Sequence, residues 1–231
     1  MSNQKEAWEE AYQNKDNFVF YPHEEVIRFF AKYIIKRTGL DTFKKVHTVN
    51  GLPKVLDLGC GIGRHIIFSN VMQAEAYGVD LSESAIKFAI DWAKREGISD
   101  AEKKILQSDI TNMPFQNNFF DFIVSHGVLD SMSENNCRNT IVETHRVLKS
   151  GGYFYCDLIS GDDSFHDSDF SGEEIVQSEH ERNTIQLYFN EKFITELFSN
   201  FFDITEMILI KRSSITHNQY TSRYHLVLKK K

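Results

Sequence analysis

The chain has 231 residues, which is enough for one well-buried α/β domain and short for two. Hydrophobic residues make up 41% and charged residues 26%, so the chain can build a core and does not resemble a disordered segment. The formal net charge of -7 argues against a protein that binds the phosphate backbone of nucleic acid, because such binding depends on clustered Lys and Arg. We therefore expect a single domain over residues 1–231 and no nucleic-acid partner.

Location and metal content are constrained by what the sequence lacks. Residues 1–10 are polar and charged, and no later stretch reaches the apolar length of a membrane span. We therefore expect a cytoplasmic protein with no membrane partner. Cys60, Cys137 and Cys156 form no Cys-x-x-Cys pair, so we expect reduced thiols and no metal site.

Secondary structure is predicted from hydrophobic periodicity. Residues 1–53 are expected to form an N-terminal helical cap. Strand-like apolar runs then alternate with helical patterns, which indicates a mostly parallel sheet covered by helices. The predicted strands are 54–58, 76–80, 104–108, 119–125 and 153–159, and the predicted helices are 64–73, 84–96 and 135–148.

The alternation of strand and helix patterns stops after residue 159. Residues 160–190 contain an acidic stretch, 161–181, that lacks periodicity, and we interpret this segment as an insertion. An amphipathic helix is predicted at 191–199. Two apolar runs at 202–210 and 224–228 follow, so residues 191–231 are interpreted as a closing helix and hairpin.

The strongest chemical signal is the sequence VLDLGCGIGR at residues 55–64, an apolar strand leading into alternate glycines and then a helix. Glycine lets a ligand lie against the backbone, and the following helix N-terminus offers free N–H donors. The segment therefore predicts a site for a nucleoside-type cofactor. It departs from the dinucleotide fingerprint, because Gly63 comes one residue early and Arg64 stands where the third glycine belongs.

Two further strand ends carry acidic side chains. Asp80 ends the second strand, where a carboxylate can accept hydrogen bonds from both hydroxyls of a ribose. Asp109 and Ile110 follow the third strand, where they could meet the amino group and the face of an adenine. Since the carboxyl ends of parallel strands share one edge of a sheet, the three strand ends predict one composite site.

The segments VLDLGCGIGR, GVDLS, SDI, FDFIVSHGVLD and RVLKSGGYF carry a family resemblance. Over residues 54–155 the chain resembles class I methyltransferases that depend on S-adenosylmethionine (SAM). The resemblance implies a Rossmann-like, doubly wound, mostly parallel seven-stranded sheet with helices on both faces and a C-terminal antiparallel hairpin. It makes residues 54–159 the SAM-binding core and residues 160–190 an insertion on the substrate side.

The resemblance also implies roles for the residues that match the family's motifs. The pocket for the methionine part of SAM would be shaped by Asp57, Gly59, Cys60, Gly61 and Gly63. The ribose would be held by Asp80 beside Leu81, and the adenine flanked by Asp109 and Ile110. Ser125 and His126 would face the sulfonium.

Catalysis of methyl transfer requires little of the protein, because positioning supplies most of the rate enhancement of an in-line displacement. An alcohol or amine acceptor must still lose a proton, for which a histidine near the donor methyl would suffice. His126 is the candidate base, and Asp130 would orient it or contact the substrate. The alternative is that His126 only lines the cofactor cleft.

The acceptor is expected to be a small molecule, such as a sugar, a nucleotide-activated intermediate or another metabolite. The loop from Ser125 to Val128 lacks the Asn/Asp-Pro-Pro-aromatic sequence of enzymes that methylate amino groups of nucleic-acid bases. Substrate contacts are expected from the aromatic residues Tyr12, Phe20 and Tyr21. The acidic stretch 161–181 would attract an amine, or would simply be solvated. The sequence does not decide between a monomer and a homodimer.

Two alternative functions remain open at this stage. A catalytically silent SAM-binding regulatory partner would carry the same motifs. An NAD(P)-dependent reductase is suggested by Tyr188 and Lys192, whose spacing would put both side chains on one face of a helix. The reductase hypothesis is weakened because Ile175 stands where such enzymes place a serine.

Overall fold

The computed structural model describes residues 2–177 and 184–231. Its strands are β1 (Ile35–Arg37), β2 (Phe43–Lys45), β3 (Lys54–Leu58), β4 (Glu75–Asp80), β5 (Ile105–Gln107), β6 (Phe120–Ser125), β7 (Leu148–Ile159), β8 (Gly172–Ile175), β9 (Ile185–Tyr188), β10 (Phe202–Ser214) and β11 (Gln219–Lys230). Its helices are α1 (Ser2–Gln13), α2 (Glu24–Phe29), α3 (Arg64–Val71), α4 (Glu83–Arg95), α5 (Ala101–Lys104), α6 (Glu134–Val147) and α7 (Glu191–Phe198). Helix α2 continues into a π-helical turn over Phe30–Ile34.

Seven strands form one large sheet in the order β10-β11-β7-β6-β3-β4-β5. Strand β11 runs antiparallel to both of its neighbours, β7 and β10. The pairings among β7, β6, β3, β4 and β5 are all parallel. The predicted mostly parallel seven-stranded sheet with a C-terminal antiparallel hairpin is therefore confirmed.

Helices cover both faces of this sheet. Successive residues of β6 point to opposite sides, because the side-chain period of a strand is two. Phe122 and Val124 pack into the cluster that holds α2 and the π-helical turn, whereas Ile123 packs with α6 and α7. Every residue of β6 is buried, as expected for a strand covered on both sides.

Polar side chains cap the N-termini of α4, α6 and α7 and fix where these helices begin. The side chain of Ser82 accepts a hydrogen bond from the backbone N–H of Ala85 at the start of α4. Ser133 and Asn190 cap α6 and α7 in the same manner. Each cap satisfies a backbone donor that has no partner within its own helix. These caps hold the loops after the strands at the sheet's carboxyl edge.

Several elements differ from the sequence-based predictions. The N-terminal cap is not helical throughout, because β1 and β2 pair as a small antiparallel sheet. The third strand is shorter than predicted, since α5 occupies the residues just before it. The insertion contains the antiparallel pair β8 and β9, and part of the predicted acidic stretch 161–181 lies outside the described residues.

The premise of the reductase hypothesis is wrong. Tyr188 is the last residue of β9, whereas Lys192 lies in the first turn of α7. The two side chains therefore do not share one face of a helix. Within the described ranges, no helix is long and apolar enough to cross a membrane.

Candidate cofactor and active site

A cavity of about 430 Å³ lies at the carboxyl edge of the sheet, between the loops after β3, β4, β5 and β6 and the N-terminal helix α1. Its size is that of a small-molecule site. The predicted site residues that line it are Tyr12, Gly59, Cys60, Gly61, Asp80, Leu81, Asp109, Ile110 and His126.

The glycine loop after β3 forms one wall of the cavity. Gly59, Gly61 and Gly63 have φ values of +70°, +51° and +92°, in the left-handed region that side chains disfavour. A Cβ at Gly59 would collide with the side chain of Val128, and one at Gly61 with the phenol of Tyr12. The loop therefore needs glycine both for its backbone conformation and for its close contacts.

Cys60 lies within this loop but has no nucleophilic character. Burial, with the nearby carboxylates of Asp80 and Asp57 adding to its effect, raises the pKa of the Cys60 thiol well above its usual value. The side chain thus stays a neutral thiol that fills space beneath the loop.

Asp80, at the end of β4, uses both carboxylate oxygens to organise the cavity floor. Oδ2 accepts a hydrogen bond from the backbone N–H of Gly61 at 2.8 Å, and Oδ1 accepts one from Ser82 at 2.9 Å. A carboxylate has about four acceptor positions, so each oxygen keeps capacity for one more donor. Burial raises the pKa of Asp80 to about 6, although the Ser82 and Gly61 donors act in the opposite direction.

The turn after β5 supplies a polar edge beside an apolar wall. Oδ1 of Asp109 accepts hydrogen bonds from the backbone N–H and the hydroxyl of Thr111, at 2.8 and 2.7 Å. Ile110 and Met132 are buried and also line the cavity. This combination fits a flat base that carries an amino group at its edge.

Helix α1 roofs the cavity and is attached to the start of α4. The carboxylate of Glu9 accepts hydrogen bonds from the hydroxyls of Ser82 and Ser84 and from the backbone N–H of Ser84. Partial burial acts to raise the pKa of Glu9, but the serine hydrogen bonds outweigh it and lower the pKa to about 2. Glu9 is therefore ionised at neutral pH and holds α1 over the site.

His126 follows β6 and lies between a cation and a carboxylate. Its Nδ1 is 3.2 Å from Nη2 of Arg64, and its Nε2 is 3.5 Å from Oδ2 of Asp157. Its ring also lies against that of His23, with 4.0 Å between the ring centroids. Burial, followed by the influence of His23 and Arg64, lowers the pKa of His126 to about 3, although Asp157 acts to raise it.

Asp157, two residues before the end of β7, is almost completely buried and is held by two donors. Oδ1 accepts a hydrogen bond from the backbone N–H of Gly127 at 2.7 Å, and Oδ2 accepts one from Nε of Arg223 at 2.8 Å. Burial acts to raise the pKa of Asp157, but Arg223, His126, the Gly127 hydrogen bond and His225 together outweigh it and keep the pKa below its usual value. Asp157 is therefore a fixed negative charge beside His126.

Asp130 does not have its predicted role in orienting His126. Its carboxylate instead pairs with Arg223 and accepts a hydrogen bond from the backbone N–H of Ile159 at 3.0 Å. The cause is the loop after β6, which carries Asp130 towards β11. The carboxylate that lies beside the His126 ring is that of Asp157.

The remaining predicted site residues lie outside the cavity lining. Asp57 and Ser125 are buried beneath it, and Oδ2 of Asp57 accepts no hydrogen bond from the described residues. Gly63 is the N-cap of α3. Phe20 packs on the aromatic rings of α4, and Tyr21 is 82% exposed, so neither predicted substrate contact reaches the cavity.

Sequence reasoning did not place Arg64, Asp157, Arg223 or His23 in the surroundings of His126. Asp157 could have been found, because it is an acid near the carboxyl end of a strand, a signal similar to the one that identified Asp80. Arg223 and His23 come from distant parts of the chain and carry no comparable local signal. Among the described residues, no group of three His, Cys, Asp or Glu side chains is arranged to hold a metal ion.

Comparison with known proteins establishes the family. Residues 51–219 match the family model of a methyltransferase domain. Because the match covers well over half of the chain, the chain belongs to this methyltransferase-domain family. The predicted SAM-dependent methyltransferase class, with SAM as its cofactor, is thereby confirmed.

Individual relatives are more distant. A sterol 24-C-methyltransferase, ERG6B, of Gibberella zeae is 35% identical over 104 residues, which cover 44% of this chain and 26% of that protein. This chain thus spans only about a quarter of that relative's length.

Two solved structures share the fold. A SAM-dependent methyltransferase from Methanosarcina mazei has a TM-score of 0.63 and 21% identity, over 79% of this chain and 94% of that one. A 1,6-didemethyltoxoflavin-N1-methyltransferase from Burkholderia thailandensis, with bound 1,6-didemethyltoxoflavin and S-adenosylhomocysteine, has a TM-score of 0.61 and 16% identity. That match covers 78% of this chain and 72% of the other.

Proposed function

We propose that the cavity binds SAM and that the protein transfers the methyl group to an oxygen or nitrogen atom of a small-molecule acceptor, releasing S-adenosylhomocysteine. The observation that carries the proposal is the convergence of the glycine loop, Asp80 and the Asp109 turn on one cavity. Bound SAM supplies an activated methyl group on a sulfonium centre.

Each part of the cofactor has a matching group in the cavity. The spare acceptor positions of Asp80 suit the two ribose hydroxyls. Asp109 and the apolar pair of Ile110 and Met132 suit an adenine edge and face. The glycine-loop backbone and Tyr12 would then enclose the methionine part.

A small acceptor is favoured by the cover that α1 provides over part of the site. Helix α1 covers the cavity, and its Tyr12 phenol lies against the glycine loop. An extended polymer would need that roof to move away, whereas a metabolite would not. The expectation that no nucleic acid binds stays a prediction supported by the net charge of -7.

One observation favours the silent-binder alternative. Arg64 donates a hydrogen bond to Nδ1 of His126, so the lone pair that would accept a proton is already used. A protein that kept this arrangement with SAM bound would lack His126 as a base.

The test is an acceptor screen that measures S-adenosylhomocysteine release from SAM with panels of hydroxyl-containing and amine-containing metabolites, with bulk tRNA as a separate arm. Release with at least one small-molecule class and none with tRNA would support the proposal. Tight SAM binding with no turnover in any arm would favour the silent partner, and turnover with tRNA alone would overturn the small-molecule assignment.

A further inference from the structure

Arg64 is a cation at the cavity with no anionic partner in the described residues. It lines the cavity at the first position of α3, directly after the glycine loop. Its guanidinium forms no ion pair within the described chain, and its hydrogen bond goes to the neutral ring of His126. A guanidinium in such a position is suited to an anionic ligand, because paired Arg–carboxylate hydrogen bonds are about twice as strong as neutral ones.

The hydrogen-bond network assigns the proton on His126. An Arg side chain can only donate, so Nδ1 of His126 must be the acceptor and Nε2 must carry the proton. Nε2 lies 3.5 Å from Oδ2 of Asp157, a charge contact without a hydrogen bond, and Gly127 and Arg223 hold that carboxylate in place. The ring therefore has its basic nitrogen at Nδ1, but Arg64 occupies the lone pair of that nitrogen.

We propose that Arg64 is a gate for His126: the carboxylate of the cofactor's methionine part draws the Arg64 guanidinium away and frees Nδ1 of His126 to accept the acceptor's proton. This inference rests on the proposed function. It makes Arg64 and Asp157 positioning residues, with Arg64 controlling the lone pair and Asp157 holding the opposite side of the ring.

The exchange would also change the basicity of the ring. The charged and titratable groups around His126 are Arg64 and His65 from α3, His23 from the segment before α2 and Asp157 from β7, which Arg223 of β11 contacts. Of these, Asp157 favours the protonated ring, while His23, Arg64 and His65 oppose it. Pairing Arg64 with a carboxylate removes one opposing charge, so the pKa of His126 rises.

The proton and electrons balance in the transfer step. The acceptor's oxygen or nitrogen forms a bond to the methyl carbon while the bond from that carbon to sulfur breaks. The electron pair of the broken bond stays on sulfur, which leaves a neutral thioether. The proton of the acceptor passes to Nδ1 of His126, and the resulting imidazolium is stabilised by the Asp157 carboxylate.

The gate can be tested without a known acceptor, by NMR of histidine side-chain nitrogens with S-adenosylhomocysteine as the probe. Signals of His126 are identified by their loss in His126→Gln. Without ligand we expect a protonated Nε2 and no titration of His126 down to about pH 5. Saturation with S-adenosylhomocysteine should raise its pKa by about two units or more, into the range from about pH 5 to 8.

Two variants sharpen the test. In Arg64→Ala the pKa of His126 should be raised without ligand, and ligand should add little. Arg95→Ala removes an exposed arginine on α4 and should behave as the wild type. If S-adenosylhomocysteine binds wild-type protein but leaves the His126 pKa and tautomer unchanged, the gate is overturned and the proposed function stands. If S-adenosylhomocysteine does not bind at all, the proposed function is contradicted, and the gate, which rests on it, falls with it.

Discussion

The phenol of Tyr12 lies against the α-carbon of Gly61, so that a single methyl group added at Gly61 would overlap it. The contact joins the roof of the cavity to its glycine wall. Because Tyr12 comes from α1 and Gly61 from the loop after β3, the shape of the site depends on how these two elements pack together. Four expectations follow from this arrangement and from the charges around it.

Gly61→Ala should disrupt the cofactor site as well as the backbone. A Cβ at φ +51° is strained and would also displace Tyr12. Gly97→Ala is a matched control, since Gly97 has φ +76° but open space around it. Both variants should lose about 1–2 kcal/mol of stability from backbone strain. Only Gly61→Ala should weaken S-adenosylhomocysteine binding, by about tenfold or more in calorimetry; equal binding by the two variants would contradict the role of this contact.

Glu9→Gln should loosen α1 over the cavity. A neutral amide is a weaker acceptor for the Ser82 and Ser84 donors, so α1 should be cleaved faster in limited proteolysis and the ligand should protect it less. Because the pKa of Glu9 is lowered to about 2, its stabilising contribution is present above the ordinary value of 4.5 and is lost only as pH falls towards 2. Docking of α1 should therefore not vary between about pH 5 and 8.

The control for this experiment is Glu10→Gln, which changes a neighbouring exposed glutamate on the same helix. Proteolysis of this variant should match the wild type. A Glu9→Gln protein as resistant as Glu10→Gln would show that the serine contacts do not hold α1.

Binding of S-adenosylhomocysteine should weaken in mild acid through Asp80. The ionised carboxylate offers acceptors to both ribose hydroxyls, and protonation removes part of that capacity. Since burial raises the pKa of Asp80 to about 6, affinity should fall below that pH, by up to about tenfold per pH unit. Asp80→Asn should bind about 10- to 100-fold more weakly at neutral pH and should not weaken further in acid. Asp91→Asn, an exposed change on α4, should preserve both properties.

Arg223→Met should be strongly destabilising. Arg223 pairs with the carboxylates of Asp130 and Asp157, both of which are almost fully buried. Removing the cation leaves two buried acids without their countercharge, which we expect to cost about 3–5 kcal/mol in the free energy of unfolding. Arg212→Met changes an exposed residue of the same hairpin and should cost little. A denaturant midpoint for Arg223→Met equal to that control would refute this account of the pair.

The parts of the site that the sequence predicted are those with local signals. The glycines after β3 and the acid ending β4 lie beside strong strand patterns, and their positions follow from the rule that parallel strands end at one edge. The mostly parallel seven-stranded sheet with its C-terminal antiparallel hairpin also followed once the family resemblance was recognised. Local pattern was therefore sufficient for the proposed cofactor half of the site.

The base environment was harder to predict, because its members meet only through tertiary structure. The ring of His126 is contacted by Arg64 of α3, by His23 of the segment before α2 and by Asp157 of β7. Asp130 does not orient His126 although it is close in sequence, because the fold pairs its carboxylate with Arg223 and brings Asp157 beside the ring. Phe20 and Tyr21 do not line the cavity, because Phe20 packs on α4 and Tyr21 is exposed, and the sequence does not reveal where an aromatic residue of the N-terminal segment packs.

The central claim is that the cavity at the sheet's carboxyl edge binds SAM. Its most direct test is calorimetric titration of the purified protein with SAM, S-adenosylhomocysteine, NAD and NADP. We expect dissociation constants of about micromolar order for the two adenosyl ligands and no measurable binding of NAD or NADP. Selective binding of NAD or NADP, with none of SAM or S-adenosylhomocysteine, would contradict the account.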